Sequence, residues 1–253
     1  MKKIFMIVFA SALIAWGCVQ KNGAVSGSGT VEIREVDVAS KISARVEQKL
    51  KGGGESVKEG EVIAVLESTI VEAQYNAAYA SYNTLKSAYE RAKELYSSAS
   101  ISKQQFESAE AQFNQAKSAY ITAEEMLKEA RVKAPWDGVI MEVHVEEGEL
   151  VSPNTPVFTI GDLTTAKITI YLPLLEMSRV KTGSDASVKI DAYKDRVFKG
   201  KVTRISQSAE FTPKNVQTKD ERVKQVFAVE ITVKNDEGIL KPGIPADVVI
   251  DSI

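Results

Sequence analysis

The middle of the chain carries a helical pattern. From Ser68 to Arg131 there is neither proline nor glycine, while alanine, glutamate, lysine and glutamine abound. Thr69-Ile70-Val71-Glu72 fits a capping box at one helix start, and Ser102-Lys103-Gln104-Gln105 fits one at a second. Ser97-Ser98-Ala99-Ser100 supplies a turn between them, so two antiparallel helices are expected. In the second helix Phe106, Ala109, Phe113, Ala116, Tyr120, Ala123, Leu127 and Ala130 recur in steps of three and four. In the first, Val71, Gln74, Ala78, Ser81, Leu85, Ala88, Ala92 and Leu95 do the same with smaller side chains. The spacing predicts a coiled-coil hairpin in which large residues face small ones, about 42 Å long at a rise of 1.5 Å per residue.

The segments flanking this hairpin resemble each other. The first runs from Lys41-Ile42-Ser43-Ala44-Arg45-Val46 through Glu55-Ser56-Val57 to Val62-Ile63-Ala64-Val65-Leu66. The second runs from Asp137-Gly138-Val139-Ile140 through Gly148-Glu149-Leu150-Val151 to Pro156-Val157-Phe158-Thr159-Ile160. Ala44 aligns with Gly138, Gly54 with Gly148, Val57 with Val151 and Leu66 with Ile160, always 94 positions apart. Each copy reads as short strands with a glycine turn and is too small to bury a core alone. The halves are therefore expected to pair into one β-sandwich with the hairpin inserted between them.

After Gly161 the pattern turns to strands. Ile168 to Leu172, Val188 to Ile190, Val197 to Ile205, Val226 to Val233 and Val248 to Ile250 all alternate or run apolar. A short helix is expected near Pro173, with Leu174, Leu175 and Val180 inward. Val31, Ile33, Val36 and Val38 add a strand from before the repeat, and six strands suggest a small barrel. The expected architecture is an elongated, modular α+β chain. It comprises a signal (1–17), a tether (18–29), a six-stranded β-barrel (30–37 with 163–253), a split sandwich (38–67 with 132–162) and the hairpin (68–131).

Composition narrows the class. Of 253 residues 44% are hydrophobic and 26% charged, which marks a globular chain rather than a disordered one. The net charge is −2, and removing a leader that holds Lys2 and Lys3 leaves −4, so no case arises for nucleic-acid binding. Lys2-Lys3 followed by the uncharged run Ile4 to Trp16 reads as a secretory signal, too short for a membrane span of about 20 apolar residues. Ala15-Trp16-Gly17-Cys18 resembles a bacterial lipobox, in which Cys18 would be acylated; the alternative is an uncleaved signal anchor. Either places the chain outside the cytoplasm at a membrane surface, where this lone cysteine has no internal partner.

Chemistry for an enzyme is absent from the pattern. His144 is the only histidine and Cys18 the only cysteine, so neither a catalytic triad nor a zinc set can be assembled. Gly52-Gly53-Gly54 lacks the ending of a phosphate loop and suits a tight turn. No catalytic residue, metal or cofactor is expected.

The order of signal, half sandwich, hairpin, half sandwich and barrel resembles the periplasmic adaptors, or membrane fusion proteins, of the HlyD type, whose split sandwich is a lipoyl-like fold. Val57-Lys58-Glu59-Gly60-Glu61, Lys133-Ala134-Pro135-Trp136-Asp137-Gly138 and Leu240-Lys241-Pro242-Gly243-Ile244 are its local signatures. The resemblance implies a homo-oligomer, six copies in a ring, that couples an inner-membrane exporter to a TolC-like outer-membrane channel. Residues 211–223 look like those of adaptors accompanying ABC-type exporters, and the chain ends at the last barrel strand, so a large membrane-proximal domain is expected to be minimal or absent. A proton-driven RND pump is the alternative partner.

Arg91, Leu95 and Ser102 reproduce an Arg-x3-Leu-x6-Ser pattern of adaptor tips that dock onto TolC-like channels. An Arg fork there can bond carbonyls or carboxylates of a partner, and Leu can pack in its groove. Each residue also has a local reading: Arg91 can pair with Glu90 or Glu94, Leu95 falls on the expected helix seam, and Ser102 is a good N-cap. Two other functions fit the parts, a lipoyl or biotin carrier and an envelope scaffold lipoprotein.

Overall fold

A computed structural model describes residues 24–211 and 225–251. The signal (1–17), Cys18 and nearly all of the 211–223 stretch lie outside the described residues. The first half of the chain forms β1 (Val25–Ala39), β2 (Ala44–Lys49), β3 (Ser56–Val57), β4 (Val62–Leu66), α1 (Thr69–Ser97) and α2 (Lys103–Lys128). There follow β5 (Arg131–Lys133), β6 (Gly138–Val143), β7 (Leu150–Val151), β8 (Pro156–Pro173) and α3 (Leu174–Met177). The last strands are β9 (Asp185–Lys189), β10 (Phe198–Ile205), β11 (Glu210–Phe211), β12 (Gln225–Lys234) and β13 (Pro245–Ile250). The chain divides into two compact units, one of residues 34–162 and one of residues up to 33 with 163 onward.

In the unit of residues 34–162 the sequence repeat is a structural repeat. β2 pairs with β4 through Val46↔Leu66, Gln48↔Val65 and Lys49↔Ala64. β6 pairs with β8 through Ile140↔Ile160, Glu142↔Thr159 and Val143↔Phe158, every residue 94 positions on and with the same register shift. The halves also exchange strands reciprocally, Ala44↔Val151 on one side and Val57↔Gly138 on the other. Their turns match as well: Gly54 and Gly148 hold φ of 83° and 86°, and Gly60 and Asn154 hold 76° and 70°. Ile42, Val46, Val57, Ile63 and Leu66 from the first half join Val132, Ile140, Val151, Phe158 and Ile160 from the second in one buried cluster. Neither half could exclude water from these side chains alone.

Two of the motifs singled out in the sequence bond to each other. The Gly60 amide donates to the Ala134 carbonyl (2.8 Å), the Ala134 amide donates to the Glu61 carbonyl (2.9 Å), and the Glu59 amide donates to the Asp137 carboxylate (2.7 Å). Within the turn the Lys58 amide donates to the Glu61 carboxylate, which together with Lys51 holds that carboxyl below its ordinary pKa. His144 lies just beyond β6, its Nε2 2.7 Å from the Thr159 hydroxyl, which donates to Asp37 (2.6 Å).

α1 and α2 form the antiparallel hairpin, with two differences from expectation. The capping box at Thr69 does not form. Ser68 is the N-cap, its backbone is near-helical (φ −108°, ψ −3°), and its hydroxyl donates to the Glu72 carboxylate instead of capping a backbone amide. At Ser102 the backbone is extended and the box closes, Gln105 N–H donating to Oγ (3.2 Å) and Ser102 N–H to the Gln105 side chain (2.9 Å). One of the two rows of the α1 seam is also shifted by one residue, while Val71, Ala78, Leu85 and Ala92 keep the other row, half-buried as expected. Gln74, Ser81 and Leu95 face solvent, and Tyr75, Tyr82, Tyr89 and Tyr96, one position later, take the row. These rings interleave with Phe106, Phe113 and Tyr120 of α2. Tyr96–Phe106, Tyr89–Phe113 and Tyr82–Tyr120 stack at 5.0 Å, and the diagonal contacts run from 5.7 to 5.8 Å. A tyrosine ring buries far more surface than an amide or a serine hydroxyl, which decides the shift.

In the second unit β1, β13, β9, β10, β12 and β8 close a six-stranded barrel. Residues 25–29, expected as tether, belong to β1, with Val25 opposite Ile250 and Gly29 opposite Ala246. Their glycines serve close packing: a Cβ at Gly29 would lie 3.0 Å from Ile168, and one at Gly27 would lie 3.1 Å from Ile170. The Leu240–Ile244 turn clamps this strand, the Val31 amide donating to Ile244 O (2.8 Å) and the Gly243 amide to Val31 O (2.9 Å). Buried Asn235 holds the turn by donating to Leu163 O and Leu240 O and accepting from Leu240 N. α3 departs from expectation. Met177 and Val180, three apart, take the inward face, and Leu174 and Leu175 stand in solvent.

Candidate functional site: the hairpin tip

The tip is built by the end of α1, a short turn and the capped start of α2. Ala99 adopts φ 55°, the left-handed conformation that ends a helix sharply. Its amide donates to Tyr96 O (3.0 Å) and the Ser100 amide to Leu95 O (2.7 Å), the paired bonds of a Schellman ending. Ser97 and Ser98 hydroxyls donate to the Glu94 and Leu95 carbonyls at 2.7 and 3.0 Å. The last carbonyls of α1 are thus satisfied internally, so side chains rather than backbone are what the tip offers.

Of the three residues picked from the sequence, two share one face. Arg91 and Leu95 lie one helical turn apart on α1, both exposed, Leu95 at 47%. Arg91 makes no hydrogen bond or ion pair with any described residue, so the pairing with Glu90 or Glu94 does not occur. Leu95 is off the seam because Tyr96 occupies it. Ser102 caps α2: its hydroxyl accepts from Gln105 N and faces Gln105 Oε1 at 3.2 Å. It fixes where α2 begins. Beside it Lys103 pairs with Glu107 (3.1 Å), a bond that raises the lysine pKa.

The tyrosine row was missed in the sequence, although its strict seven-residue spacing was there to be read. Among the described residues no cluster of three His, Cys, Asp or Glu side chains could hold a metal, and no helix is long and apolar enough to cross a membrane. The connection between the sandwich halves, where a lipoyl or biotin carrier would present its modified lysine, is taken up by the hairpin.

Residues 34–162, just over half the chain, match the CzcB-like, barrel-sandwich hybrid domain family, and residues 172–250 match the YknX-like β-barrel domain. A UPF0194 membrane protein from the asrC 5' region of Acidithiobacillus ferridurans is 38% identical over 122 residues, 48% of this chain and 36% of that protein. This chain thus matches about a third of that relative's length. Among solved structures, a MacA-MexA chimeric protein containing the Pseudomonas aeruginosa MexA α-hairpin domain shares the fold. Its TM-score is 0.77 at 24% identity, over 91% of this chain and 81% of that one. A candidate efflux transporter from Bacteroides eggerthii DSM 20697 gives a TM-score of 0.70 at 26% identity, over 90% and 68%.

Proposed function

The chain belongs to the membrane fusion, or adaptor, proteins that share the CzcB-like barrel-sandwich hybrid domain, and from that premise we propose that it couples an inner-membrane exporter to a TolC-like outer-membrane channel. The observation that carries this reading is the tip. An unpaired guanidinium and an exposed leucine sit one turn apart on a helix whose seam has no place for either. Such a pair offers a charged fork for carbonyls or carboxylates and an apolar plug for a groove between partner helices.

The remaining roles follow from the family resemblance. Cys18 carries the lipid anchor and holds the protein in the periplasm at the inner membrane. The exporter is of the ABC type, on the likeness of residues 211–223, and supplies the energy. Six copies form a ring whose work is coupling and sealing rather than catalysis. Exposed Ile70, Met126 and Leu150 around an open groove of about 580 Å³ in the unit of residues 34–162 support contact between copies.

The test is a photo-crosslinking amino acid placed at Leu95 in cells. An adduct with an outer-membrane channel is expected. Active export with no channel adduct from this position would refute tip docking, and the adaptor's neighbouring genes or a pull-down would separate an ABC exporter from a proton-driven one.

A further inference from the structure

Leu175 is the most exposed large apolar side chain among the described residues, at 82%, and its neighbour Leu174 stands at 59%. Both belong to α3, a single turn whose other apolar residue, Met177, packs on the barrel core. Strand register places this turn at the barrel end where the chain enters. Val25 lies opposite Ile250, Ile250 opposite Ala186 at the start of β9, and Pro173, immediately before α3, opposite Val226. A Cβ at Gly27 would meet Ile170 and Leu172 within 3.5 Å, so the first residues of β1 run beside the last of β8.

Upstream of Val25 the sequence holds Cys18 and, before it, the uncharged run Ile4 to Trp16. The stretch from Cys18 to Val25 spans at most about 25 Å fully extended. An acyl anchor on Cys18 therefore keeps this barrel end within that reach of the lipid interface, and an uncleaved anchor ending at Trp16 keeps it within about 30 Å. Charges on and beside α3 nearly balance, Arg179 and Lys181 against Glu176 and Asp185. What is left unmatched is apolar surface.

We propose that α3 is a membrane wedge: Leu174 and Leu175 insert into the lipid interface beside the N-terminal anchor and fix how the barrel meets the bilayer. This rests on the reading that the leader holds the chain at a membrane. Two adjacent exposed leucines on a single turn, flanked by charges that balance, suit a fluid apolar phase rather than a shaped protein groove. The attraction is apolar, so it needs neither anionic lipid nor low salt.

The experiment uses the full acylated chain in phosphatidylcholine vesicles, with a nitroxide at Leu175→Cys or, as the control, at Tyr193→Cys beyond the far end of β9. Acylation blocks Cys18, so only the introduced thiol is labelled. At 175 collisions with oxygen should exceed those with an aqueous nickel chelate several-fold; at 193 the order should reverse. Salt should change neither. Equal nickel access at both sites overturns the wedge, and so does a label at 175 shielded from both probes, which would mean that protein covers it. Mass spectrometry tests the anchor separately. An unacylated chain that still floats with vesicles and shields 175 from nickel supports the wedge without the anchor, and one that stays in solution overturns both.

Discussion

Tyr96 stacks on Phe106 with ring centroids 5.0 Å apart and planes 9° from parallel, and this contact turns Leu95 out of the helix seam. The last aromatic rung of the hairpin thereby sets the chemistry of its end.

Arg91→Asp is expected to abolish export while helix content and melting temperature stay at their wild-type values, because the guanidinium has no internal partner to lose. Leu95→Ser should act in the same direction. Tyr96→Ala, in contrast, should lower both export and hairpin stability. Circular dichroism beside an export assay separates the two classes.

Phe113 is wedged between Tyr89 and Tyr82, at 5.0 and 5.8 Å. Phe113→Ala removes two ring contacts from a half-buried site, and an expected loss of about 2–3 kcal/mol should appear in chemical denaturation of the helical signal. Gln74→Ala, on the solvated face, should change nothing measurable.

Ala99 holds a left-handed backbone that glycine adopts without strain. Ala99→Gly should stabilise the tip by about 0.5–1 kcal/mol, visible as slower amide exchange at Ser100, if the Schellman ending limits fraying there.

Gly138 and Ala44 are equivalent positions, yet only one has room for a side chain. A Cβ at 138 would lie 2.6 Å from the Gly161 carbonyl and 2.9 Å from Ile160. Gly138→Ala should cost about 1–3 kcal/mol of stability in a melting experiment, whereas Ala44→Gly should cost less than half as much.

Glu230, 8% exposed on β12, is bonded by Arg204 and lies 3.0 Å from Lys167. Arg204 foremost, then Lys167, lowers its folded pKa below the ordinary 4.5. A depressed carboxyl pKa contributes stability that is present above the unfolded value and lost as pH falls through the folded one. Barrel stability should therefore fall as pH drops below about 4.5, and Glu230→Gln should remove part of that slope while lowering stability at pH 7. Denaturation midpoints across pH 3–7 would show a parallel curve if the ion pairs were inert.

Much of this architecture was legible because its signals are local and repeated. The 94-residue offset rested on turn glycines and apolar alternation, and the pairing registers follow it residue for residue. Tyr75, Tyr82 and Tyr89 were hidden by their own amphipathy, since a hydroxyl-tipped ring next to alanine reads as surface until a facing ring is known. Gly27 and Gly29 read as linker because crowding against Ile168 and Ile170 is a property of the closed barrel. Leu174 and Leu175 read as inward because one helical turn carries too little pattern to fix a face. At the tip, spacing singled out Arg91, Leu95 and Ser102 as candidates, and geometry adds that Arg91 and Leu95 are exposed while Ser102 also closes the cap of α2.

The Leu66 amide donates to the Ala130 carbonyl at 2.8 Å, so the long helical excursion starts and finishes at a single bond. Helix pairing within that excursion is short-range and fast, whereas a search by one half for a partner 94 positions away is slow. Closing the hairpin therefore brings the second half within reach of the first and shortens that search. Loosening its aromatic rungs should delay the pairing of the two sandwich halves.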